Sequence, residues 1–139
     1  MALHLNTDII LPASPEKAWA ELTDFSRYPE WNPFVTHAAG DWQEGNRVSI
    51  TAGGMDFKPV ILNFQPEREL RWRGSLLFRG LFDGEHYFTL TDRGDGTTLL
   101  THGELFQGIM VPIFRKKLHS ETRAGFVAMN EALRDRLLP

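Results

Sequence analysis

The sequence has no cysteine among its 139 residues, which excludes disulfides and thiolate metal sites and gives no sign of an exported scaffold. It has no excess of basic charge. Fifteen Lys and Arg stand against 18 Asp and Glu, a net −3, so there is no cationic field for nucleic acid. No stretch approaches the ~20 consecutive apolar residues of a membrane span. The opening residues Met1 to Ile10 lack a basic segment followed by a long apolar run, so no signal peptide is expected and the location is expected to be cytoplasmic. The histidines at 4, 37, 86, 102 and 119 form no close His-x-x-x-His pair and no metal-ligand cluster. Gly53-Gly54 and Asp95-Gly96 are turn glycines, and no P-loop occurs. There is no internal repeat, low-complexity tract or linker. A single domain over residues 1–139 with a real core is expected, with neither metal nor cofactor; the oligomeric state is not legible.

What is present organises around the stretch Met110 to Leu137. Pro112 suits a first helical turn. Apolar or small residues then recur at Phe114, Leu118, Thr122, Phe126, Met129, Leu133 and Leu137, steps of three and four that share one helical face. Such a helix needs a layer to pack on, and the preceding chain reads mostly as strands. Leu3, Leu5, Thr7 and Ile9 alternate with polar residues. Ser14-Pro15 opens a helix with Ala18, Trp19 and Leu22 as its apolar face, and Phe25 to Tyr28 makes a second short turn. Strands follow over 34–42, 47–52, 57–64, 70–76, 85–91 and 97–106. Leu77 to Gly84 reads as a loop or a bulged strand. Gly53-Gly54 and Arg93-Gly94-Asp95-Gly96 are the clearest turns.

Pairing the last two strands across their turn with Asp92 opposite Thr97 sets Leu90 against Leu99, Phe88 against Thr101 and His86 against Gly103. These residues and Leu105 then form an apolar inner face. Glu85, Tyr87, Thr89, His102 and Glu104 fall on a wet outer face, where Glu85 and Glu104 read as solvated carboxylates.

The element order resembles the SRPBCC superfamily, the START-like, helix-grip group with polyketide cyclase/dehydratase and lipid-transport-like members. The resemblance is carried by Ser14-Pro15-x-x-Ala18-Trp19, Phe25-x-x-Tyr28-Pro29-x-Trp31-Asn32-Pro33, Pro66-x-x-x-Leu70-x-Trp72, Gly84-x-His86-x-Phe88 and Thr101-His102-x-Glu104-x-Phe106-x-Gly108. It implies an α+β helix-grip fold: a seven-stranded antiparallel sheet curled around the long C-terminal helix, two short helices after the first strand, and an apolar cavity between sheet and helix.

Face assignment gives the expected lining: Val48, Ile50, Val60, Leu62, Trp72, Gly74, Leu76, Phe88 and Leu105 from the strands, and Phe114, Leu118 and Phe126 from the helix. The phase over 57–64 is ambiguous, with Phe57 and Ile61 as the alternative inward pair. Gly74 and Gly103 leave space, and Trp31 and Phe34 form a rim. His86, on the apolar face, is the candidate acid or base. Arg115, near the edge of the helix's apolar face, is a candidate partner for a ligand carboxylate. Thr101 and Thr122 are candidate hydrogen-bonders. The expected ligand is a small hydrophobic or amphipathic molecule (lipid-, polyketide- or aromatic-like). With one buried titratable group legible, a carrier or sensor leads. A cyclase/dehydratase-like enzyme using His86 and a chaperone-activator-like interaction module are the alternatives.

Overall fold

The computed structural model of the chain describes residues 2–139. Its elements run β1 (Ala2–Leu11), α1 (Pro15–Leu22), a 3₁₀ turn (Phe25–Arg27), α2 (Tyr28–Trp31), β2 (Val35–Ala39), β3 (Ser49–Ala52), β4 (Met55–Phe57) and β5 (Val60–Gln65). Then come β6 (Glu69–Ser75), β7 (Asp83–Asp92), β8 (Thr98–Gln107), α3 (Val111–Lys117), a π-helical turn (Leu118–Thr122) and α4 (Arg123–Arg136). This is the α+β helix-grip architecture, with one difference in the sheet. The strands divide into a five-stranded sheet, ordered β1-β8-β7-β6-β5, and a three-stranded sheet, β2-β3-β4. The expected single strand over 57–64 is broken at Lys58-Pro59, where proline cannot donate to a ladder. The two sheets stay joined through Val48 N–H to Pro59 O (3.0 Å) and the reciprocal bonds of Gly45 and Asn46 with Ile61.

Local chemistry explains the ends of the first helix. Ser14 is extended, its Oγ accepts from the Lys17 N–H, and Pro15 occupies the first turn. Thr23 closes it, its hydroxyl donating to the Trp19 carbonyl at 2.7 Å. Ala18, Trp19 and Leu22 are buried, as their spacing requires. Further on, Asn32 Oδ1 accepts from the N–H groups of both Phe34 (3.0 Å) and Val35 (2.9 Å), which fixes where the Phe34 ring enters the interior.

The C-terminal helix is continuous from Val111 to Arg136 but widens into a π turn at its centre. Leu118 and Phe126 are both buried against the sheet, and they are eight residues apart. In a regular helix at ~100° per residue that separation overshoots two turns by about 80°. A turn with i→i+5 bonding takes up most of the excess and keeps both side chains inward. Gly125 belongs to the same arrangement: a Cβ there would lie 2.5 Å from the Phe34 ring.

The hairpin β7–β8 corrects the expected register. Asp92 pairs with Thr98, so Leu90 faces Leu100, Phe88 faces His102, His86 faces Glu104 and Gly84 faces Phe106. The loop between them is one residue longer than a Thr97 pairing allows. Arg93 N–H bonds Thr97 O, Asp92 caps the Gly94 N–H and Asp95 caps the Thr97 N–H. Gly94 and Gly96 supply the positive φ angles this turn needs, 79° and 86°. A slip of one residue turns every side chain of β8 to the other face. His102 and Glu104 are therefore inside, and Thr101, Gly103 and Leu105 are outside.

Candidate functional site

Between the two sheets and the π-helical part of the C-terminal helix lies a cavity of about 190 Å³. Its walls are mostly apolar and aromatic: Phe34, Ile50, Phe57, Trp72, Leu76, Phe82, Phe106, Phe114 and Leu118, with Gly53, Gly74 and Gly84 between them. The ionisable or hydroxyl side chains among the described residues that line it are those of His86, Glu104, Lys117 and Thr122.

His86 and Glu104 are cross-strand partners. Glu104 Oε1 lies 2.7 Å from His86 Nδ1. His86 Nε2 lies 2.7 Å from His102 Nε2, on the next inward position of β8. His102 Nδ1 meets Asn130 Oδ1 of α4 at 2.7 Å. Asn130 Nδ2 donates to Thr7 Oγ1 of β1 at 2.9 Å, and the Thr7 hydroxyl donates to the His102 carbonyl at 2.7 Å. One line of hydrogen bonds thus runs from the cavity wall through two imidazoles to the junction of β1 and α4. Thr7, His86, His102 and Asn130 on it are buried, as their pairing permits, and Glu104 at its end is partly buried.

The rings around this line determine its electrostatics. Trp72 stacks on His86 at 5.0 Å, and Phe88 and Phe126 approach it at the same distance. His102 lies between Phe88 and Phe126 at 4.3 and 4.5 Å. With water excluded, the charged form of each group is disfavoured. Burial lowers the His86 imidazole to about 3, lowers His102 well below the ordinary histidine range, and raises the Glu104 carboxyl to about 8. The line is therefore a neutral one at neutral pH. Glu104 is its exit: the side chain is 16% exposed. Its Oε2, which has no protein partner among the described residues, sits over Gly84 where any Cβ would collide with it.

Of the residues expected from sequence, Phe34, Trp72, Gly74, Leu76, His86, Phe114, Leu118 and Thr122 are in the cavity wall, as is Ile50. The others are elsewhere. Phe88 and Phe126 are fully buried behind the histidines. Val60 and Leu62 are out of phase with the buried Ile61, and Phe57 takes the wall position from β4. Val48 and Trp31 pack in the core cluster rather than at a rim. Thr101 and Leu105 are on the outer face, opposite Thr89 and Glu85. Gly103, also outward, leaves no cavity space: the Tyr87 phenol ring lies over it, and a Cβ would meet that ring and the Leu5 carbonyl. Arg115 is exposed and outside the wall. It follows Phe114 by one residue, roughly 100° round the helix, and the cation at the cavity is Lys117 instead.

Sequence reasoning missed Glu104, His102 and Asn130. Glu85, expected beside Glu104, is on the outer face with Arg71 at 2.6 Å. A signal was present: Leu100, His102, Glu104 and Phe106 alternate as one set that begins and ends apolar. A polar pair enclosed by such a set marks an inward site as readily as a wet face.

The fold is a helix grip whose cavity wall carries a hydrogen-bonded carboxyl–imidazole pair. The chain belongs to the family described as polyketide cyclase / dehydrase and lipid transport, which matches residues 2–136. No curated protein matches the sequence. Among solved structures, the chain is similar to the hypothetical protein jhp0584 from Helicobacter pylori (15% identity, TM-score 0.82, covering 98% of this chain and 88% of that one). It is also similar to a START superfamily protein from Mycobacterium smegmatis (20% identity, TM-score 0.72, 96% of each chain). A third likeness is to the di-domain ARO/CYC StfQ from the steffimycin biosynthetic pathway (12% identity, TM-score 0.77, 99% of this chain and 51% of that one). At these identities the likeness is one of fold. No helix among the described residues is long and apolar enough to cross a membrane.

Proposed function

We propose that the cavity binds a small, largely apolar molecule and that the Glu104–His86 pair moves a proton on it, in an enzyme of the cyclase/dehydratase type. The observation that carries this reading is the carboxyl of Glu104, open to the cavity on one side and bonded to a buried imidazole on the other at 2.7 Å. A carboxyl raised to about 8 holds its proton at neutral pH and can still release it there, which is what general acid–base chemistry asks of a group. The case for a carrier rested on a single buried titratable group; three in hydrogen-bonded sequence favour chemistry. Dehydration of a β-hydroxy ketone needs one proton taken from carbon and one delivered to the departing hydroxyl. A carboxyl backed by an imidazole can make both moves, since the charge it takes up is shared with the ring. The developing imidazolium is tolerated only beside the developing enolate, so the step is coupled to substrate.

Size supports a modest substrate. An apolar cavity of ~150 Å³ holds benzene, so about 190 Å³ suits one substituted ring or a small fused pair. The cyclase and dehydrase members that give the family part of its description, and the likeness to the ARO/CYC protein StfQ, are in keeping with such a substrate. The apolar majority of the wall also suits a carrier, and one experiment separates the two. Freshly purified protein is incubated with a panel of aryl β-hydroxy ketones, and loss of water is followed by mass spectrometry. The expected result is turnover by the wild type that falls roughly 10²–10⁴-fold in Glu104→Gln with binding little changed. Binding without turnover by the wild type would leave only the carrier, and equal turnover by the variant would take Glu104 out of the chemistry.

A further inference from the structure

The direction of every hydrogen bond in the Glu104–Thr7 line is fixed from its far end. Thr7 Oγ1 lies 2.7 Å from the His102 carbonyl oxygen. A carbonyl has no proton, so the hydroxyl donates. Its single proton spent, Thr7 Oγ1 must accept from Asn130, whose facing atom is therefore the amide nitrogen. Asn130 Oδ1 then faces His102 Nδ1, and that nitrogen carries hydrogen. A neutral His102 consequently offers a lone pair at Nε2, which requires an N–H at His86 Nε2. His86 Nδ1 is then a lone pair as well, and the proton between it and Glu104 Oε1 belongs to the carboxyl. Moving that proton onto His86 gives an ion pair; removing it would set two lone pairs face to face at 2.7 Å somewhere along the line. In both allowed states Glu104 Oε2 is an acceptor.

We propose that Thr7 and Asn130, which do not line the cavity, fix the oxygen that Glu104 shows to the ligand as a hydrogen-bond acceptor. The site then takes molecules whose buried end bears an O–H or N–H donor: phenols, alcohols and ring N–H groups. It discriminates against the same frames ending in an ether, a carbonyl, a ring nitrogen lone pair or a carboxylate, because two acceptors would then oppose each other in a dry site. The specificity rests on the cavity being the ligand site; the polarity of the line does not. The same polarity orders the chemistry. Oε2 takes a proton from the substrate as Oε1 passes its own to His86 Nδ1, and the reverse movement returns one, so that nothing is consumed.

The polarity is read in ligand-free protein labelled with ¹⁵N-histidine, by long-range proton–nitrogen correlation at near-neutral pH. The expected pattern is His86 as the Nε2–H tautomer and His102 as the Nδ1–H tautomer; the reverse pair overturns the polarity whatever the cavity binds. Specificity is read by calorimetry with three ring-matched probes: indole (a donor), benzofuran (no donor) and quinoline (an acceptor). Indole is expected to bind about tenfold or more tightly than either of the others. Thr7→Val, which frees Asn130 to turn over, should shrink that ratio to within about threefold, and Thr7→Ser should restore it. Glu104→Gln should keep it, since the amide nitrogen replaces the Oε1–H and the amide oxygen replaces Oε2. Quinoline bound better than indole, or a ratio unmoved by Thr7→Val in a folded variant, overturns the proposed selection. No binding of any of the three overturns the specificity and the cavity reading together.

Discussion

The Glu104–His86–His102 line should set the shape of the stability–pH curve. Glu104 is held at about 8 against an unfolded value of 4.5. Between those values the folded protein keeps a proton that the unfolded chain has released, so stability falls as pH rises, by roughly 1.4 kcal/mol per pH unit. His86 and His102 are lowered from 6.5, His86 to about 3. Below 6.5 the unfolded chain binds protons that the folded protein does not, so each histidine makes stability fall as pH falls, at the same slope. From 4.5 to 6.5 two rising contributions oppose one falling one, and stability climbs with pH. Above 6.5 only Glu104 is left, and stability declines until about 8. The expected curve peaks near pH 6.5 and loses about 2 kcal/mol by pH 8. Among the described residues no other shifted group titrates in that interval, since Glu69 lies lower and Tyr28 and Tyr87 lie higher. Urea unfolding at half-unit pH steps measures this directly. Glu104→Gln should abolish the alkaline decline and roughly double the slope between 4.5 and 6.5. A stability that still rises from pH 7 to 8, or an alkaline limb unchanged in the variant, would refute the assignment of a neutral buried carboxyl.

Two glycines of the cavity wall should answer differently to the same change. Gly84→Ala places a Cβ on Glu104 Oε2. It should cost about 1–3 kcal/mol in urea melts and displace the carboxyl, with loss of ring-probe binding. Gly74→Ala meets Pro59 at 3.6 Å and Phe57 at 3.9 Å, ordinary contact distances, and should leave the melting midpoint near wild type. At the mouth, Lys117 should favour an anionic substituent on the outer end of a ligand. Lys117→Met should cut the preference for indole-3-acetate over its methyl ester by at most about fivefold, an effect that fades with added salt because the side chain is exposed.

The sequence by itself determined the elements whose signals are local. Ser14-Pro15 with Ala18, Trp19 and Leu22 specifies the first helix and its buried face, because capping and periodicity act within a few residues. The C-terminal helix, the glycine turns and the inward side of β7, with His86 beside Phe88, were legible for the same reason. The division of the sheet at Pro59 was written in the sequence too, in a residue that cannot pair, although the apolar run around it reads as one strand. Tertiary structure alone decided the register of β8, because alternation constrains a strand only to one of two faces, and the choice between them turned on one extra loop residue. That choice brought Glu104 and His102 inside and sent Thr101, Gly103 and Leu105 out. Asn130 and Thr7 are 123 residues apart in the chain. No local pattern links them, and only the packing of α4 on β1 makes them the end of one hydrogen-bonded line. The character of the site is a property of that long-range pairing: burial converts an ordinary glutamate and two ordinary histidines into a neutral, hydrogen-bonded line.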